Sequence, residues 1–288
     1  MLFNSFQYIL FLPLVLVVFH LMPKKYRWIM LLIVSYYFYM CWKPAFAILM
    51  FISTIVDYWA GIGMANTTDK RKRKGWMMMS LCVNLGMLFF FKYLNFLTYN
   101  VEVMMAKFNI FYDSPILHII LPVGISFYTF QTLSYTLDVY KGKAPAERHF
   151  GYFALYVSYF PQLVAGPIER PGHLIPQLHS PPALTKDDVR YGINKILLGY
   201  FKKVVVADNL ALYVDQMFAH VPGGTGLQYY VASVMFIIQL FADFSGYTDI
   251  AIGSARLMGV RLQENFNRPF FTTSLSRFWA RWHMSLTT

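Results

Sequence analysis

Residues 227–253 read LQYYVASVMFIIQLFADFSGYTDIAIG. The run is apolar and long enough to cross a hydrocarbon core, which takes about 20 helical residues. From its middle onward it nevertheless carries Gln239, Asp243, Ser245, Tyr247 and Asp249. Ionisable groups are costly in lipid, so groups placed like these face a cavity or a partner. On a helix, Gln239, Asp243 and Tyr247 share one face at spacings of four, and Ser245 and Asp249 share another. The two carboxylates are six residues apart and point about 120° from one another. They cannot form a facing acid/base pair without groups from elsewhere. Either they brace neighbouring segments or arginines, or they contact a substrate.

The rest of the chain has the same solvent. Of 288 residues, 57% are hydrophobic, 19% aromatic and only 14% charged, against about 25% charged in a soluble domain. There is too little polar surface to cover a water-facing globule. Lipid-exposed backbone must satisfy its own hydrogen bonds, so the fold class is all-α, a polytopic integral membrane protein. The formal charge of +11 does not imply nucleic acid, because the basic residues cluster in short loops between apolar runs, and no basic face with interleaved aromatics appears. Cys41 and Cys82 match no metal spacing. The first apolar run lacks a basic leader and a small-residue cleavage site, so it reads as a membrane helix rather than a signal peptide.

Taken outward, the first span is Phe6 to Met22, closed by Pro23-Lys24-Lys25-Tyr26-Arg27. The second runs from Trp28 to Trp42, and the third from Ala45 to Ala65. The basic loop Asp69 to Lys74 follows, then a fourth span, Trp76 to Phe91. Basic loops alternate with nearly uncharged ones, which puts the N-terminus outside and the 69–74 loop in the cytoplasm. Asn95 to Tyr112 is polar enough to read as an interfacial helix. Ile116 to Tyr140 then crosses inward and leaves 141–148 in the cytoplasm. If Asn95–Tyr112 spanned instead, that loop would face outward against its charge. Phe150 to Gly166 is short and broken at Pro161 and Gly166-Pro167, as a helix or a re-entrant segment would be, and feeds the proline-rich stretch Pro167 to Pro182. Thr185 to Met217 is amphipathic. No internal repeat is visible, and residues 1–288 read as one membrane domain.

The carboxy-terminal stretch, ENFNRPFFTTSLSRFWARWHMSLTT (264–288), carries the chemistry. Pro269 and the Thr272-Thr273-Ser274 run predict a helix start. On that helix Ser276, Trp279 and His283 fall on one stripe, with Arg277 and Arg281 on the next. An imidazole in such company is a candidate general base, against the plainer reading of a packed histidine. Asn265 and Asn267 bind substrate or satisfy a turn. The other histidines, His20, His118, His149, His173, His179 and His220, read as lone interfacial or loop residues. Asp57 in the third span reads first as a helix-to-helix hydrogen bond. No phosphate-cradling glycine loop, zinc spacing or nucleophile elbow is present.

Four stretches resemble the membrane-bound O-acyltransferase superfamily, and most closely its bacterial alginate O-acetyltransferase branch. They are LPVGISFYTFQTLSYTLDVYKGK (121–143), YFPQLVAGPIERPGHLIPQL (159–178), FADFSGYTDIAIGSARLMG (241–259) and ENFNRPFFTTSLSRFWARWHMSL (264–286). The resemblance implies a multi-helix bundle around a tunnel through the cell (inner) membrane. An acyl group, acetyl in this branch, would pass from a cytoplasmic thioester such as acetyl-CoA to a hydroxyl of an exported polysaccharide. Periplasmic or extracellular acetylation partner proteins are expected, and no bound cofactor or metal. Peptidoglycan O-acetyltransferases and teichoic acid D-alanyl transferases share the motifs, so the cargo is open among them.

The family histidine that follows the tryptophan of Arg-Trp-His-x-Ser-Leu is here His283. Asp243, Ser245, Tyr247, Asp249, Asn265, Asn267, Arg268, Trp279, Arg281 and Trp282 are the residues expected along the passage. A second family histidine, in a Gly-Leu-Trp-His-Gly motif, has no match in this sequence. The expectation is therefore a chain that carries the N-terminal and central part of the domain and is inactive alone. The basic loops 70–74 and 141–148 could attract an anionic thioester or an acidic carrier protein, although topology signalling explains them equally. The rivals are a transporter or flippase, with Asp57, Asp243, Asp249 and His283 as a polar pathway, and a scaffold for polysaccharide export.

Overall fold

The computed structural model describes residues 1–108, 121–122, 124–164, 166–219 and 224–287. It is helical throughout, and the described residues hold no strand beyond one isolated bridge between Phe266 and Trp282. Helix α1 spans Phe6–Leu21, α2 Arg27–Met40 and α3 Pro44–Ala65, within two residues or so of the sequence boundaries. Each begins where a local signal predicts it. The Ser5 side chain accepts from the Tyr8 amide ahead of α1, and Pro44 occupies the first turn of α3. The outward faces are apolar, with Leu10, Leu14, Val17 and Leu21 exposed on α1, as a lipid-facing helix requires.

Helix α4 differs from expectation. It runs unbroken from Lys70 to Lys107, 38 residues or about 57 Å at 1.5 Å per residue. The basic stretch 70–74 is its first turn, capped by the Asp69 side chain, rather than a loop. Residues 95–107 continue it instead of forming a separate interfacial helix. The helix outruns a hydrocarbon core of about 30 Å, so its charged and polar ends can both stand in headgroup or water. Residues 109–112 of the expected interfacial helix, and 116–120 and 123 of the next expected span, lie outside the described residues. Helix α5 is described from Ile125 to Tyr140.

The basic segments gather at one end. Arg73 donates to the carbonyls of Val139 and Tyr140 at 3.1 and 2.9 Å, and the Tyr58 hydroxyl donates to the Arg148 carbonyl at 2.6 Å. The Trp28 ring meets His149 at 5.0 Å. At the other end the amino terminus donates to the Phe38 carbonyl. The 141–148 loop thus lies at the same end of the molecule as 69–74.

Between them the chain breaks as its prolines direct. Helix α6 (Phe150–Ser158) and the short α7 (Phe160–Leu163) are almost wholly buried and separated at Tyr159, with Pro161 in the first turn of α7. Helix α8 (Pro171–His179) follows, then α9 (Lys186–Tyr200), a π-helical segment Phe201–Ala207, and α10 (Asp208–Ala219). Helix α11, Gly226–Arg256, is the polar-bearing span. Its capping box is complete, with Thr225 accepting from the Gln228 amide and the Gln228 side chain accepting from the Thr225 amide.

Two features fasten α11. An aromatic cluster of Phe3, Tyr8, Phe11, Phe38 and Phe160 joins α1, α2 and α7, and the Tyr8 hydroxyl reaches Ser254 of α11 at 2.8 Å. On a neighbouring face α9 crosses α11 through glycines. A Cβ on Gly253 would lie 2.5 Å from the Gly192 carbonyl oxygen, and one on Gly246 would lie 2.8 Å from that of Gly199. Both pairs are seven residues apart along their helices, so the contact repeats every two turns. Such close backbone approach is what small residues allow at membrane helix contacts.

Asp57 of α3 is fully buried and meets only neutral donors. Ser53, Ser80, Asn84 and Thr136 all direct hydrogen bonds at its carboxyl oxygens, with the two from the Asn84 amide at 2.9 and 3.0 Å. It fastens α3 to α4 and α5, the structural reading of that residue.

A candidate acyl-transfer site

The short helix α12 (Leu275–Trp279) begins where expected, with Ser274 accepting from the Arg277 amide. It then stops after five residues, and His283 does not share its face. The chain turns at Ala280 and Arg281, pairs at Trp282 with Phe266, and passes His283 at φ 47° before the final turn α13 (Met284–Thr287). The Ser276–Trp279–His283 stripe is thus overturned. Trp279 is 55% exposed, and Ser276 and Arg277 are exposed with it. Arg281 donates to the Phe271 carbonyl at 3.2 Å. A regular helix gives way because the Asn265–Asn267 segment offers the backbone a better partner. The Asn267 amide donates to the Arg281 carbonyl at 3.0 Å, and the Met284 amide to the Asn265 carbonyl at 2.9 Å.

Asn265 is fully buried and also accepts from the Ser285 amide through Oδ1 at 3.3 Å. The Ser285 hydroxyl in turn accepts from the Ile168 amide at 3.0 Å, which ties this clamp to the proline-rich loop. Asn267 and Arg268 are exposed, and Arg268 has φ 46°. Left-handed backbone costs a non-glycine residue roughly 1–2 kcal/mol. The clamp therefore holds His283 in a conformation that residue would not choose.

The imidazole so placed is half-buried against two rings, Phe244 at 4.8 Å edge-on and Phe127 at 6.5 Å. Its Nε2 is buried and has no hydrogen-bond partner among the described residues. Burial pushes its pKa below the usual 6.5, so the ring is neutral at pH 7 and its free nitrogen can take a proton or a hydrogen bond. Trp282 does not touch the imidazole as a wall. It packs among Phe241, Phe266, Phe270 and Phe278 at 5.1–6.0 Å and anchors the segment. A cavity of about 10 Å³ shares Phe127 with the imidazole and is lined further by Tyr128, Gln131, Gln162 and residues 166–168.

The polar residues of α11 divide. Ser245 is buried with no partner for its Oγ among the described residues, and it follows Phe244 directly. Tyr247 donates to Asn4 Oδ1 at 3.3 Å. Asp249 sits between Lys195 and Lys202 at 2.9 and 2.6 Å, while Lys203 joins Asp243 and Asp208 at 2.5 and 2.7 Å. Both carboxylates are ion-paired, and their partners are lysines rather than arginines. The adjacent Lys202 and Lys203 lie in the π-helical segment and reach carboxylates that point about 120° apart.

Sequence reasoning missed several residues here. Glu169 is fully buried, accepts from the Gln263 amide at 2.5 Å and contacts His173 Nδ1 at 2.6 Å. Its own amide donates to Gln131 Oε1 at 2.8 Å. His173 and His179, read as lone, are paired with Glu169 and Glu147. Lys195 also reaches Glu264 at 2.9 Å, and the Tyr191 hydroxyl donates to that carboxylate at 2.7 Å. The one available signal was the seven-residue interval from Lys195 to Lys202, two turns of one helix face. His118 and His220 lie outside the described residues.

An all-helical membrane architecture with a clamped, neutral histidine beside a span of buried polar groups defines the class. Residues 145–288 match the model of the MBOAT, membrane-bound O-acyltransferase family. The chain is 38% identical over 293 residues to the probable alginate O-acetylase of Pseudomonas putida, covering 100% of this chain and 59% of that protein. It is 32% identical over 294 residues to the peptidoglycan O-acetyltransferase of Helicobacter pylori (92% of this chain, 54% of that one). To the teichoic acid D-alanyltransferase of Bacillus subtilis it is 30% identical over 168 residues (57% and 42%). The chain belongs to the membrane-bound O-acyltransferase family. It spans somewhat over half the length of the alginate and peptidoglycan relatives it matches.

Proposed function

We propose that this chain forms the histidine-bearing part of an O-acyltransferase in the cytoplasmic membrane. It would move an acyl group, acetyl by its similarity to the alginate and peptidoglycan enzymes, from a cytoplasmic thioester to a hydroxyl of a cell-surface polysaccharide or of a partner protein. The acceptor oxygen attacks the thioester carbonyl, the carbon–sulfur bond breaks, and the hydroxyl proton passes to a histidine nitrogen while the thiolate leaves. The donor is acetyl-CoA or an acyl carrier thioester, and residues 1–288 act as one domain in this reading.

The observation that carries the proposal is the state of His283. Its ring is neutral, its Nε2 is buried and uncommitted, and its backbone is held at a left-handed φ by the Asn265–Ser285 clamp. A group kept ready in a water-poor setting suits proton transfer or the orientation of a donor carbonyl. An ion pathway through Asp243 and Asp249 finds less support, because lysines already occupy both carboxylates. Asp57 is enclosed by neutral donors.

His283→Ala at the native chromosomal locus tests the reading. The ester content of the surface polysaccharide should fall by at least about 100-fold, the usual worth of a positioned acid–base group, at an unchanged membrane level of the protein. Unaltered ester content at equal protein would reject it and leave the scaffold role.

A further inference from the structure

A cavity at the basic end of the molecule shares no lining residue with the His283 site. It measures about 560 Å³ and opens between the end of α1, the turn Lys24–Tyr26, the start of α2, α6, and the segments 178–184 and 258–260. Its floor is apolar and buried, built from Phe19, Leu31, Leu178, Met258 and Val260. One wall is aromatic: Trp28 lies 5.1 Å from the Tyr152 ring, which stacks on His179 at 3.7 Å. The rim is cationic, with Lys24, Lys25 and Arg27, and no carboxylate lines the cavity.

The charges on that rim are uncompensated. Lys24 and Lys25 form no ion pair with any described residue. Arg27 is aimed rather than neutralised. Its Nε donates to the Met22 carbonyl at 3.0 Å, its Nη2 to the His20 carbonyl at 3.3 Å, and its guanidinium lies 4.8 Å from the Phe19 ring centre. Lys195, Lys202 and Lys203, at the contact with α11, are by contrast each matched by carboxylates. Three unmatched cations around an apolar hollow repel one another, and an anion with several oxygens offsets that repulsion through charge-assisted hydrogen bonds. The buried floor calls for an apolar body attached to that anion.

We propose that this cavity binds an anionic phosphate ester, with the phosphate at Lys24, Lys25 and Arg27 and its apolar portion against Phe19, Leu31 and Met258. Two sources carry that chemistry. One is the headgroup of an anionic phospholipid, which basic residues at the end of a membrane helix meet at the interface. The other is a soluble phosphate-bearing cofactor whose flat base would lie on the Trp28–Tyr152–His179 wall. No residue of the His283 clamp lines the cavity, so the site stands whether or not the acyl-transfer reading holds.

The test uses the purified chain in detergent, titrated separately with phosphatidylglycerol, phosphatidylcholine and coenzyme A, with binding read by native mass spectrometry and by the shift in unfolding temperature. Phosphatidylglycerol or coenzyme A should bind and stabilise where phosphatidylcholine does not, and which of the two acts identifies the source. The double variant Lys24→Ala, Lys25→Ala removes two exposed side chains and leaves the floor intact. It should weaken binding roughly thirtyfold, the equivalent of about 1 kcal/mol for each lysine. Equal binding of phosphatidylcholine, no binding of either anionic ligand, or undiminished binding by the double variant would overturn the assignment.

Discussion

Asn265 and Ser285, twenty positions apart, are joined across the turn that presents His283, with the Ser285 amide donating to Asn265 Oδ1. The Asn265 carbonyl meanwhile accepts from Met284, so both residues that follow the histidine are held by one side chain and its backbone. Asn265→Ala deletes the first bond and spares the second. It should cost about 1–2 kcal/mol in stability for a buried donor left unpaired. Acyl transfer should suffer more, by at least about tenfold, because small misplacements of a reacting group are expensive. Unfolding in detergent alongside polysaccharide ester content separates the two effects. Equal small losses in both would show that the clamp only stabilises the fold.

The α9–α11 crossing makes a sharper stability prediction. At Gly253 an added Cβ would meet the Gly192 carbonyl oxygen at 2.5 Å and the Ile196 amide nitrogen at 3.0 Å. Both are helix backbone, which cannot swing aside as a side chain would. Gly253→Ala should therefore destabilise by about 1–3 kcal/mol through forced helix separation, and Gly253→Leu should block accumulation in the membrane. Gly75→Ala meets nothing within 4 Å and serves as the control, with unchanged or slightly raised stability in a helix interior. Matching thermal midpoints for Gly253→Ala and Gly75→Ala would contradict the packing described.

Much of this fold was legible because membrane spans announce themselves locally. The first three helices follow from apolar runs bounded by Pro23–Arg27 and the basic stretch Asp69–Lys74, signals a few residues wide. Helix α4 was misread because charge at its ends looks like a loop, whereas a helix longer than the bilayer can carry charge beyond it. At His283 the helical period was the wrong guide, since the deciding partners, Asn265 and Asn267, lie 16 or more residues upstream. Non-local pairing leaves no periodic trace. The roles of Asp243 and Asp249 were left open for the same reason: their lysines lie 40 to 54 residues away on another helix. What sequence reading did establish is that the two carboxylates could not face each other.

Asp249 is the brace most exposed to test. Its side chain is 7% exposed and contacts Lys195 and Lys202, themselves 18% and 25% exposed. Removing one member of a shielded pair leaves uncompensated charge, at a cost of about 3–5 kcal/mol. Asp249→Ala strands Lys202 and leaves Lys195 with Glu264 alone, and should sharply lower the amount of folded protein. The triple variant Asp249→Leu, Lys195→Met, Lys202→Met removes every charge that the carboxylate touches. It should recover most of the loss, because well-packed apolar replacements of buried ion pairs are tolerated. Glu264 would still lose Lys195 but retain the Tyr191 hydroxyl. If Asp249→Ala kept the protein in the membrane but ended acyl transfer, the carboxylate would be a functional group rather than a brace.

Two histidines predict opposite responses to pH. His283 is pushed below its usual 6.5 by burial, so the unfolded chain binds its proton more readily than the folded one. Its contribution to stability is complete above about pH 6.5 and declines as pH falls toward the lower folded value. His173 is raised, chiefly by its hydrogen bond to Glu169 and against the effect of burial. Its contribution is complete below about pH 6.5 and fades as pH rises through the higher folded value. His283→Gln should flatten the acid limb of a stability–pH profile, and His173→Gln the neutral-to-alkaline limb. On the proposed mechanism acyl transfer uses the neutral form of His283, so the acid limb of its rate should lie below the pH 6.5 of an ordinary imidazole. A rate that halves near pH 6.5 in the wild type, together with an acid limb untouched by His283→Gln, would show that the ring is solvated and that its neutrality is not built into the fold.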